Sequence, residues 1–186
     1  VPVVICFNKV DLCEGDLMEQ YGQIYRQAGY EVEFISTVDK RGLDRVRERL
    51  QGKTSVLAGP SGVGKSSLTN ELHPDAAMET GDISRKIERG KHTTRHSQLF
   101  HIGEDTFMMD TPGFSSMYVE DLEAGELKDY FPEFAAFEEG CKFLGCVHVG
   151  EKVCGVKEAL KRGELSRSRY DNYILMYEDL KNKRRY

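Results

Sequence analysis

Hydrophobic and polar positions along the first part of the chain alternate between strand-like and helix-like patterns. A continuous apolar run at residues 3 to 8 is typical of a parallel strand covered on both faces. Helical spacing follows from Asp16, which can act as an N-cap, to Gly29, where a left-handed cap would end the helix. The same alternation continues at residues 31 to 36, 43 to 50, 54 to 58 and 65 to 72. The pattern predicts an α/β fold with a mostly parallel sheet in three layers.

Leu43, Val46 and Leu50 form the predicted core face of the second helix. After the predicted helix at residues 65 to 72, periodicity disappears between Thr80 and Arg95, a stretch rich in Lys and Arg. Compact domains seldom keep a long basic loop of this kind without a use. A hairpin at the sheet edge is predicted to follow, with the sequences LFHI and TFMMD as its two strands.

The composition becomes acidic between Glu120 and Glu139, which predicts a domain boundary near Tyr118. We therefore expect one domain over residues 1–118 and a second over residues 119–186. In the second domain, one helical face near the end of the chain carries five apolar or aromatic residues. They are Tyr170, Tyr173, Ile174, Tyr177 and Leu180.

Composition limits the class of protein. The 186 residues include 26 Lys+Arg and 31 Asp+Glu, which gives a net charge of −5, and 39% are hydrophobic, enough for a real core. The apolar run at the start is too short to cross a bilayer and lacks the features of a secretory signal. It begins abruptly at Val1 without an initiator Met, so we expect an upstream segment that this sequence does not include.

Cysteine usage favours metal binding in a reducing compartment over disulfides. The count is odd, at five, and three of the cysteines cluster between Cys141 and Cys154. Cys6 is expected to fill the core, and Cys13 to be a loop thiol.

A phosphate-binding loop is the strongest motif in the chain. Residues 59 to 66 match the pattern G-x-x-x-x-G-K-[ST] between a predicted strand and a predicted helix. The glycines let backbone N–H groups curl around a phosphate chain, Lys65 places an ammonium between phosphates, and Ser66 offers a hydroxyl to Mg²⁺. The nucleotide contacts predicted here are Gly59, Pro60, Ser61, Gly62, Val63, Gly64, Lys65, Ser66 and Ser67.

A guanine-reading motif, N-K-x-D, follows the first strand at the edge of the sheet where nucleotides bind. The Asp11 carboxylate can accept hydrogen bonds from N1–H and the 2-amino group of guanine, whereas adenine would leave it unpaired. Lys9 can pack its stem over the base, and Asn8 can tie this loop to the phosphate loop. Ser36 and Thr37, after the second strand, would offer a backbone N–H to the guanine O6; a simple turn is the alternative.

Asp110 opens a D-x-x-G motif at the end of the hairpin. Its carboxylate would reach Mg²⁺ through water, and the Gly113 amide would face the γ-phosphate, although a plain Pro-Gly turn is the alternative. Thr94, favoured over Thr93, would complete the magnesium shell when the basic loop becomes ordered. A disordered linker is the alternative for that loop.

The motifs occur in the order base-reading loop, phosphate loop, magnesium loop and D-x-x-G. Ordinary GTPases place the phosphate loop first, so the chain has the order of a circularly permuted P-loop GTPase domain. D-x-x-G then leads directly into the C-terminal region, and loss of the γ-phosphate at Gly113 would pull on residues 114 onward.

Cys141, Cys146, His148 and Cys154 supply three thiolates and an imidazole, enough to close a tetrahedral zinc shell. A closed shell is typical of a structural site. The surrounding segment is acidic and poor in apolar residues, so we expect it to lack a core of its own and to depend on the metal for folding free energy.

Taken together, these motifs resemble the RsgA (YjeQ/YloQ) family of circularly permuted GTPases, over nearly the whole chain. The segments that carry the resemblance are Asn8–Asp11, Gly59–Ser66, Gly90–Arg95, Asp110–Gly113, Phe131–Phe134 and the Cys/His cluster. The resemblance implies a bacterial cytoplasmic enzyme that hydrolyses GTP to GDP and phosphate late in assembly of the small (30S) ribosomal subunit, stimulated by that particle. It also implies an N-terminal OB-fold that contacts rRNA, which this sequence does not include.

Phe114 stands where many GTPases carry a water-orienting Gln, and its ring cannot hydrogen-bond to water. The family resemblance assigns that role to His101, while His92 and His96 in the basic loop are rivals. With the basic loop disordered and no ribosome bound, slow intrinsic turnover is expected.

Basic residues in the 85–95 loop and in the last helix favour contact with RNA despite the negative net charge, and the protein is expected to be a monomer. A solvated helix end is the alternative for the last few residues. Two other functions stay open: a P-loop ATPase or kinase, which N-K-x-D disfavours, and a zinc-stabilised RNA-binding module whose affinity is gated by nucleotide.

Overall fold

Strands and helices alternate through the first part of the chain in the computed structural model, which describes residues 1–73, 98–110 and 122–182. The strands are β1 Val4–Phe7, β2 Glu31–Phe34, β3 Thr54–Leu57, β4 Gln98–Gly103 and β5 Thr106–Asp110. The helices are α1 Leu17–Gln27, α2 Leu43–Leu50, α3 Lys65–Leu72, α4 Gly155–Lys161 and α5 Arg167–Asn182. Short 3-10 helices occupy Val10–Leu12, Ala124–Tyr130 and Pro132–Gly140. The α/β class predicted from the sequence is confirmed.

The chain divides into two compact units. The first contains Val4–Met18 and Val32–Met117, and the second contains Val1–Val3, Glu19–Glu31 and Tyr118–Tyr186, in each case as far as the chain is described. Most of α1 therefore belongs to the second unit, although it precedes β2 in the chain. Within the described ranges, no helix combines the length and the apolar character needed to cross a bilayer.

Strand pairing in the first unit places the carboxyl ends of two strands at one edge. β3 pairs with β5 in parallel, from Thr54 opposite Phe107 to Leu57 opposite Asp110. β4 pairs with β5 in the antiparallel sense, so the described part of this sheet has the order β3-β5-β4, and β1 and β2 pair with each other. The loop after β3 and the end of β5 consequently lie side by side.

The core of the first unit comes from the helical faces that the sequence predicted. Leu43, Val46 and Leu50 of α2 are buried, as expected from their spacing. They pack with four further buried residues, which are Ile35, Leu68, Leu72 and Met108.

β1 is less covered than its apolar sequence predicted. Val4 and Cys6 are exposed, and Ile5 and Phe7 are half-buried, so the expectation of a strand covered on both faces is wrong for the described chain. Cys6 is correspondingly not core filler, whereas Cys13 is an exposed thiol as expected. An apolar run of this length cannot by itself distinguish two covered faces from one, because both faces carry hydrophobic side chains.

The second unit has a hydrophobic core of its own, which the sequence analysis did not anticipate. Helices α4 and α5 and the two 3-10 helices that precede them bury ten residues together. They are Leu127, Phe131, Phe134, Cys146, Cys154, Val156, Ala159, Leu165, Tyr170 and Tyr173. The expectation of a segment without a core is wrong because the aromatic residues that form the core lie well outside the cysteine cluster, before it at Phe131 and Phe134 and after it at Tyr170 and Tyr173.

The predicted apolar face of the last helix is confirmed. Tyr170 and Tyr173 of α5 are buried, and Ile174, Tyr177 and Leu180 pack against the same core. The Tyr170 hydroxyl donates to the His148 carbonyl oxygen at 2.6 Å, and the Tyr173 hydroxyl donates to the Val147 carbonyl oxygen at 2.5 Å. These bonds satisfy buried polar groups and attach α5 to the loop that carries the histidine of the Cys/His cluster.

Candidate nucleotide-binding site and candidate metal centre

The phosphate-binding motif lies between β3 and α3, where its sequence predicted it. The loop ends with Gly64 at φ 94°, and α3 begins at Lys65. A Cβ atom at Gly64 would lie 2.3 Å from Nδ2 of Asn8, so only glycine allows this approach. The backbone N–H groups at the start of α3 and the positive end of the helix dipole face the loop, an arrangement suited to phosphate.

Two hydrogen bonds join the N-K-x-D loop to the phosphate loop. Asn8 Nδ2 donates to the Val63 carbonyl oxygen at 2.9 Å, and Lys9 Nζ donates to the Gly62 carbonyl oxygen at 2.8 Å. Asn8 also accepts from the Lys9 backbone N–H at 2.8 Å, which holds Lys9 in its left-handed conformation at φ 69°. The structure thus brings together two motifs more than fifty residues apart in the chain.

The Lys65 ammonium lies inside the curve of the phosphate loop. It donates to the Gly59 carbonyl oxygen at 2.8 Å and to the Pro60 carbonyl oxygen at 3.0 Å. Ser66 and Ser67 are half-buried in the first turn of α3. A cation and hydroxyl groups at the mouth of one loop can hold a phosphate chain and a divalent ion.

The turn after β2 lies beside the N-K-x-D loop, because the Val10 N–H donates to the Ile35 carbonyl oxygen at 3.2 Å. The Ser36 hydroxyl oxygen accepts from the N–H groups of Val38 and Asp39, and the Ser36 N–H donates to the Arg41 carbonyl oxygen. Ser36 therefore shapes the turn. Because the Ser36 N–H is already bonded to Arg41, the backbone N–H available to a guanine base would be that of Thr37.

The strand register places Asp110 at the end of β5 and His101 opposite an earlier residue of that strand. Asp110 is paired with Leu57, next to the phosphate loop, and lies opposite Gln98 on β4. His101 is paired with Phe107, three positions from that end, which is roughly 10 Å along the strand. Its exposed ring packs on Phe107 at 5.2 Å between centroids. The structure does not bring His101 to the edge where Asp110 lies.

Several predicted residues lie outside the described residues. They are Thr93, Thr94, Gly113 and Phe114, the rival histidines His92 and His96, the basic loop from Thr80 to Arg95, and the last four residues of the chain.

The predicted metal-binding cluster is assembled in the second unit. The ligand atoms of Cys141, Cys146, His148 and Cys154 all lie within 4.8 Å of one another. His148 Nδ1 is 3.6 Å from the Cys141 sulfur and 3.4 Å from the Cys154 sulfur, and these two sulfurs are 3.9 Å apart. A tetrahedron with metal–sulfur bonds of about 2.3 Å and a metal–nitrogen bond of about 2.0 Å has edges of roughly 3.8 and 3.5 Å. The donor set fits such an ion.

The groups around the cluster orient its ligands. His148 is buried, and its Nε2 lies 3.3 Å from Oε1 of Glu138, which also accepts from Lys128 Nζ at 2.8 Å. The Gly155 N–H donates to the Cys141 sulfur at 3.3 Å. A Cβ atom at Gly155 would lie 1.9 Å from the Phe137 carbonyl oxygen, so this approach requires glycine. A carboxylate on the far nitrogen of a ligating histidine is a common outer-shell partner of protein metals.

Burial disfavours charge on the cluster, so its thiols would lose their protons only together with a compensating cation. Burial raises the pKa of the Cys146 thiol to about 12 and also raises the pKa of the Cys154 thiol. Burial lowers the pKa of His148, so its imidazole is neutral at pH 7 and keeps a lone pair. The hydrogen bond from Lys128 lowers the pKa of Glu138 and keeps that carboxylate charged. Buried thiolates need a compensating positive charge, which a bound metal ion would supply.

The sequence analysis missed an ion pair in the second unit. Arg169 of α5 makes two hydrogen bonds to the Glu133 carboxylate, and only 6% of the Glu133 side chain is exposed. The Arg169 guanidinium also lies 5.0 Å from the Phe131 ring centroid and less than 6 Å from those of Tyr25 and Tyr30. The signal was the segment Phe131–Phe134, in which an acid stands between aromatic residues, but its partner is 36 positions away.

The motif order, the joined base and phosphate loops, and the α/β architecture define a class, the circularly permuted P-loop GTPases. The chain belongs to the RsgA GTPase family, whose model matches residues 1–120.

Curated relatives extend the match over the whole chain. The chain is 54% identical over 186 residues to the small ribosomal subunit biogenesis GTPase RsgA of Agathobacter rectalis and covers 62% of that protein. It is 47% identical to the protein of the same name from Alkaliphilus metalliredigens and covers 64% of it. The chain therefore spans less than two thirds of the length of these relatives.

Solved structures show the same fold. YloQ, described as a circularly permuted GTPase, matches 98% of the chain with a TM-score of 0.77 and 38% identity, over 58% of its own length. YjeQ from Thermotoga maritima matches 98% of the chain with a TM-score of 0.79 and 35% identity, over 61% of its own length. The circularly permuted GTPase fold predicted from motif order is confirmed.

Proposed function

We propose that this chain binds GTP with Mg²⁺ and hydrolyses it to GDP and phosphate. The observation that carries the proposal is the pair of hydrogen bonds from Asn8 and Lys9 to the phosphate loop. They support a single site, because a base bound at Asp11 and phosphates bound at Lys65 would belong to one nucleotide.

Each group has a distinct part in the proposed site. Asp11 accepts from the guanine edge, and Lys65 moves from the Gly59 and Pro60 carbonyl oxygens to the β- and γ-phosphates. Mg²⁺ would be held by the Ser66 hydroxyl, by Thr94 and, through water, by Asp110, while the Gly113 amide contacts the γ-phosphate. His101 is proposed to position the attacking water in the stimulated state.

The proposed partner is the small ribosomal subunit with its rRNA, because the relatives are named as GTPases of its biogenesis. We propose that hydrolysis ends the stay of the protein on the maturing particle, in the cytoplasm, and that the protein acts as a monomer. In this proposal residues 1–118 carry the nucleotide chemistry and residues 119–186 carry the metal centre and RNA contacts.

The proposed metal is a structural zinc ion held by Cys141, Cys146, His148 and Cys154. The donor set supports zinc because three sulfur ligands and one nitrogen ligand favour this ion over Mg²⁺ or Ca²⁺. All four positions are filled by the protein, so the ion supplies folding free energy and no substrate chemistry.

The test compares the affinities for GTP, GDP and ATP, and measures GTP turnover with purified small or large ribosomal subunits. We expect tight binding of GTP and GDP, at least 100-fold weaker binding of ATP, and GTP turnover that rises with purified small subunits and not with large subunits. Equal affinity for ATP would contradict guanine reading by Asp11. Turnover that does not respond to either subunit would instead favour the nucleotide-gated RNA-binding module.

A further inference from the structure

The turn between β2 and α2 bonds most of its own backbone donors. We call it the base turn, and it consists of residues 36–42. The Ser36 N–H donates to the Arg41 carbonyl oxygen at 3.0 Å. The Ser36 hydroxyl oxygen accepts from the N–H groups of Val38 and Asp39, both at 3.2 Å. Three of the first four N–H groups of the base turn therefore already have an acceptor.

The Thr37 N–H is the fourth of these donors. Across residues 1–73, 98–110 and 122–182, no acceptor is bonded to it, and Thr37 itself is half-buried. A single N–H group suits the O6 oxygen of guanine. The 6-amino group of adenine would instead place a second donor against it, so that neither donor would have an acceptor. The base turn can thus read the 6-position of the base, while Asp11 reads the neighbouring edge.

Asp39 and Arg41 close the base turn with a pair of bonds. The Arg41 N–H donates to Asp39 Oδ1 at 3.1 Å, and the Arg41 guanidinium donates to Asp39 Oδ2 at 2.8 Å. Lys40, between them, is left-handed at φ 63°. The bond from the Arg41 N–H lowers the pKa of Asp39, so its carboxylate is charged at neutral pH. An exposed ion pair adds little stability, but these bonds hold the Arg41 carbonyl oxygen against Ser36.

Both ends of the base turn are also fixed. Just before it, the Ile35 N–H donates to the Phe7 carbonyl oxygen at 2.8 Å, and the Ile35 carbonyl oxygen accepts from the Val10 N–H at 3.2 Å. At its end, Gly42 is left-handed at φ 74°, and a Cβ atom there would lie 2.3 Å from the Phe34 carbonyl oxygen. A donor on a turn fixed in this way loses little conformational freedom when a ligand binds, which favours affinity and specificity.

We propose that Asp39 and Arg41 are positioning residues that set the specificity for the 6-oxo group of the base. Their bonds keep the base turn closed, so that the Thr37 N–H is its single donor toward O6. Without the pair, the Arg41 carbonyl oxygen is free to leave Ser36, and the Thr37 N–H loses its fixed direction. Neither Asp39 nor Arg41 touches the nucleotide. The inference rests on the proposed binding of GTP and adds the residues that control one end of the base.

Two analogues of GTP separate the two ends of the base. In 6-thio-GTP a sulfur atom, which is a weak acceptor, replaces O6, and ITP lacks only the 2-amino group that Asp11 would read. We expect Asp39→Ala to weaken GTP binding by roughly 3- to 10-fold, the effect of one lost hydrogen bond, and to change 6-thio-GTP binding little. The preference for GTP over 6-thio-GTP should therefore fall, and the preference over ITP should stay. Competition with a fluorescent GDP analogue in Mg²⁺ buffer measures these affinities.

Further variants separate position from charge. Asp39→Asn should keep part of the preference for GTP over 6-thio-GTP, because an amide oxygen can still accept from the Arg41 N–H. Arg41→Ala removes the guanidinium and retains that N–H, so it should resemble Asp39→Asn. Asp44→Ala is the matched control: Asp44 bonds to Arg47 at 3.2 Å, in an exposed acid–arginine pair outside the base turn. Its nucleotide preferences should equal those of the parent protein, and circular dichroism verifies the fold of each variant.

Three results would overturn the inference. The first is an Asp39→Ala variant that keeps the parent protein's preference for GTP over 6-thio-GTP. The second is an equal loss of preference over 6-thio-GTP and over ITP, which would show a general loosening of the site. The third is a parent protein that binds GTP and 6-thio-GTP equally, which would exclude the Thr37 N–H as the donor to O6. Each can occur while GTP still binds far more tightly than ATP, so failure of this inference is distinguishable from failure of the proposed function.

Discussion

Gly64 lets the two halves of the proposed nucleotide site meet, because it has no side chain where Asn8 approaches. The substitution Gly64→Ala combines a left-handed backbone, at φ 94°, with a Cβ atom 2.3 Å from Asn8 Nδ2. We expect it to weaken GTP binding at least tenfold, since Asn8 must leave the phosphate loop. Titration with a fluorescent GTP analogue measures this effect.

Gly52→Ala is the matched control for Gly64→Ala. Gly52 is also left-handed, at φ 66°, but nothing lies within 4 Å of its would-be Cβ atom. Both variants should lose about 1 to 2 kcal/mol of stability from backbone strain, and only the Gly64 variant should lose GTP affinity. Equal losses of affinity would show that strain, and not the Asn8 contact, sets the loop.

Arg169 pairs with a nearly buried carboxylate in the second unit. We expect Arg169→Met to cost about 3 to 5 kcal/mol in the free energy of unfolding, because the Glu133 carboxylate, 6% exposed, is left without its partner. Urea unfolding followed by tyrosine fluorescence measures the change, and the chain contains no Trp to interfere.

Arg167→Met is the comparison for Arg169→Met on the same helix. Arg167 pairs with Asp171 at the surface, with side-chain exposures of 77% and 52%, so its loss should change stability by less than about 0.5 kcal/mol. Similar effects of both substitutions would refute a special role for the buried pair.

The pairing of β4 with β5 separates His101 from the end of β5. With His101 about 10 Å along the strand from the Asp110 position, we expect His101→Ala to leave intrinsic GTP turnover and GTP affinity unchanged. Turnover stimulated by the small subunit should fall by about 100-fold or more if His101 positions the water once the particle is bound. Single-turnover assays with and without subunits separate these rates, and full stimulated activity would remove His101 from the mechanism.

Helix α5 is bonded to the loop that carries the candidate ligand His148. The Tyr170 hydroxyl donates to the carbonyl oxygen of His148, and the Tyr173 hydroxyl donates to that of Val147. Removal of the proposed zinc ion by a chelator, or the substitution Cys154→Ser, should therefore abolish the near-UV circular dichroism of the packed tyrosines and phenylalanines. Cys13→Ser, at an exposed thiol, should leave that spectrum unchanged. A spectrum that persists after metal removal would show that the aromatic core holds the unit alone.

Features whose determinants lie close together in the chain could be predicted from the sequence. The phosphate loop and the Cys/His cluster could be predicted because their residues lie close together in the chain, and α3 begins and ends where periodicity placed it. The contact between Asn8 and the phosphate loop could also be predicted, because both partners lie in recognisable motifs, but the pair of Glu133 and Arg169 could not. Glu133 and Arg169 are 36 positions apart, and neither residue's neighbours indicate the other.

Two further features could not be predicted from the sequence: the exposure of the β1 side chains and the register between β4 and β5. The exposed faces of Val4 and Cys6 on β1 depend on what covers the strand, which an apolar run does not encode. The position of His101 depends on pairing between β4 and β5, whose register is set by cross-strand contacts and a bulge between His101 and Gly103. Both features depend on packing between strands and their neighbours, which the sequence of one strand does not determine.

The bond between Asn8 and Val63 links residues 55 positions apart, and this separation matters while the chain is being made. At about 5 to 20 residues per second, synthesis takes roughly 3 to 11 s to travel from one partner to the other. Until then, the side chains of Asn8 and Lys9 meet only water or transient neighbours. A nascent chain that binds guanine nucleotide has therefore already completed the segment from the first strand through the start of α3.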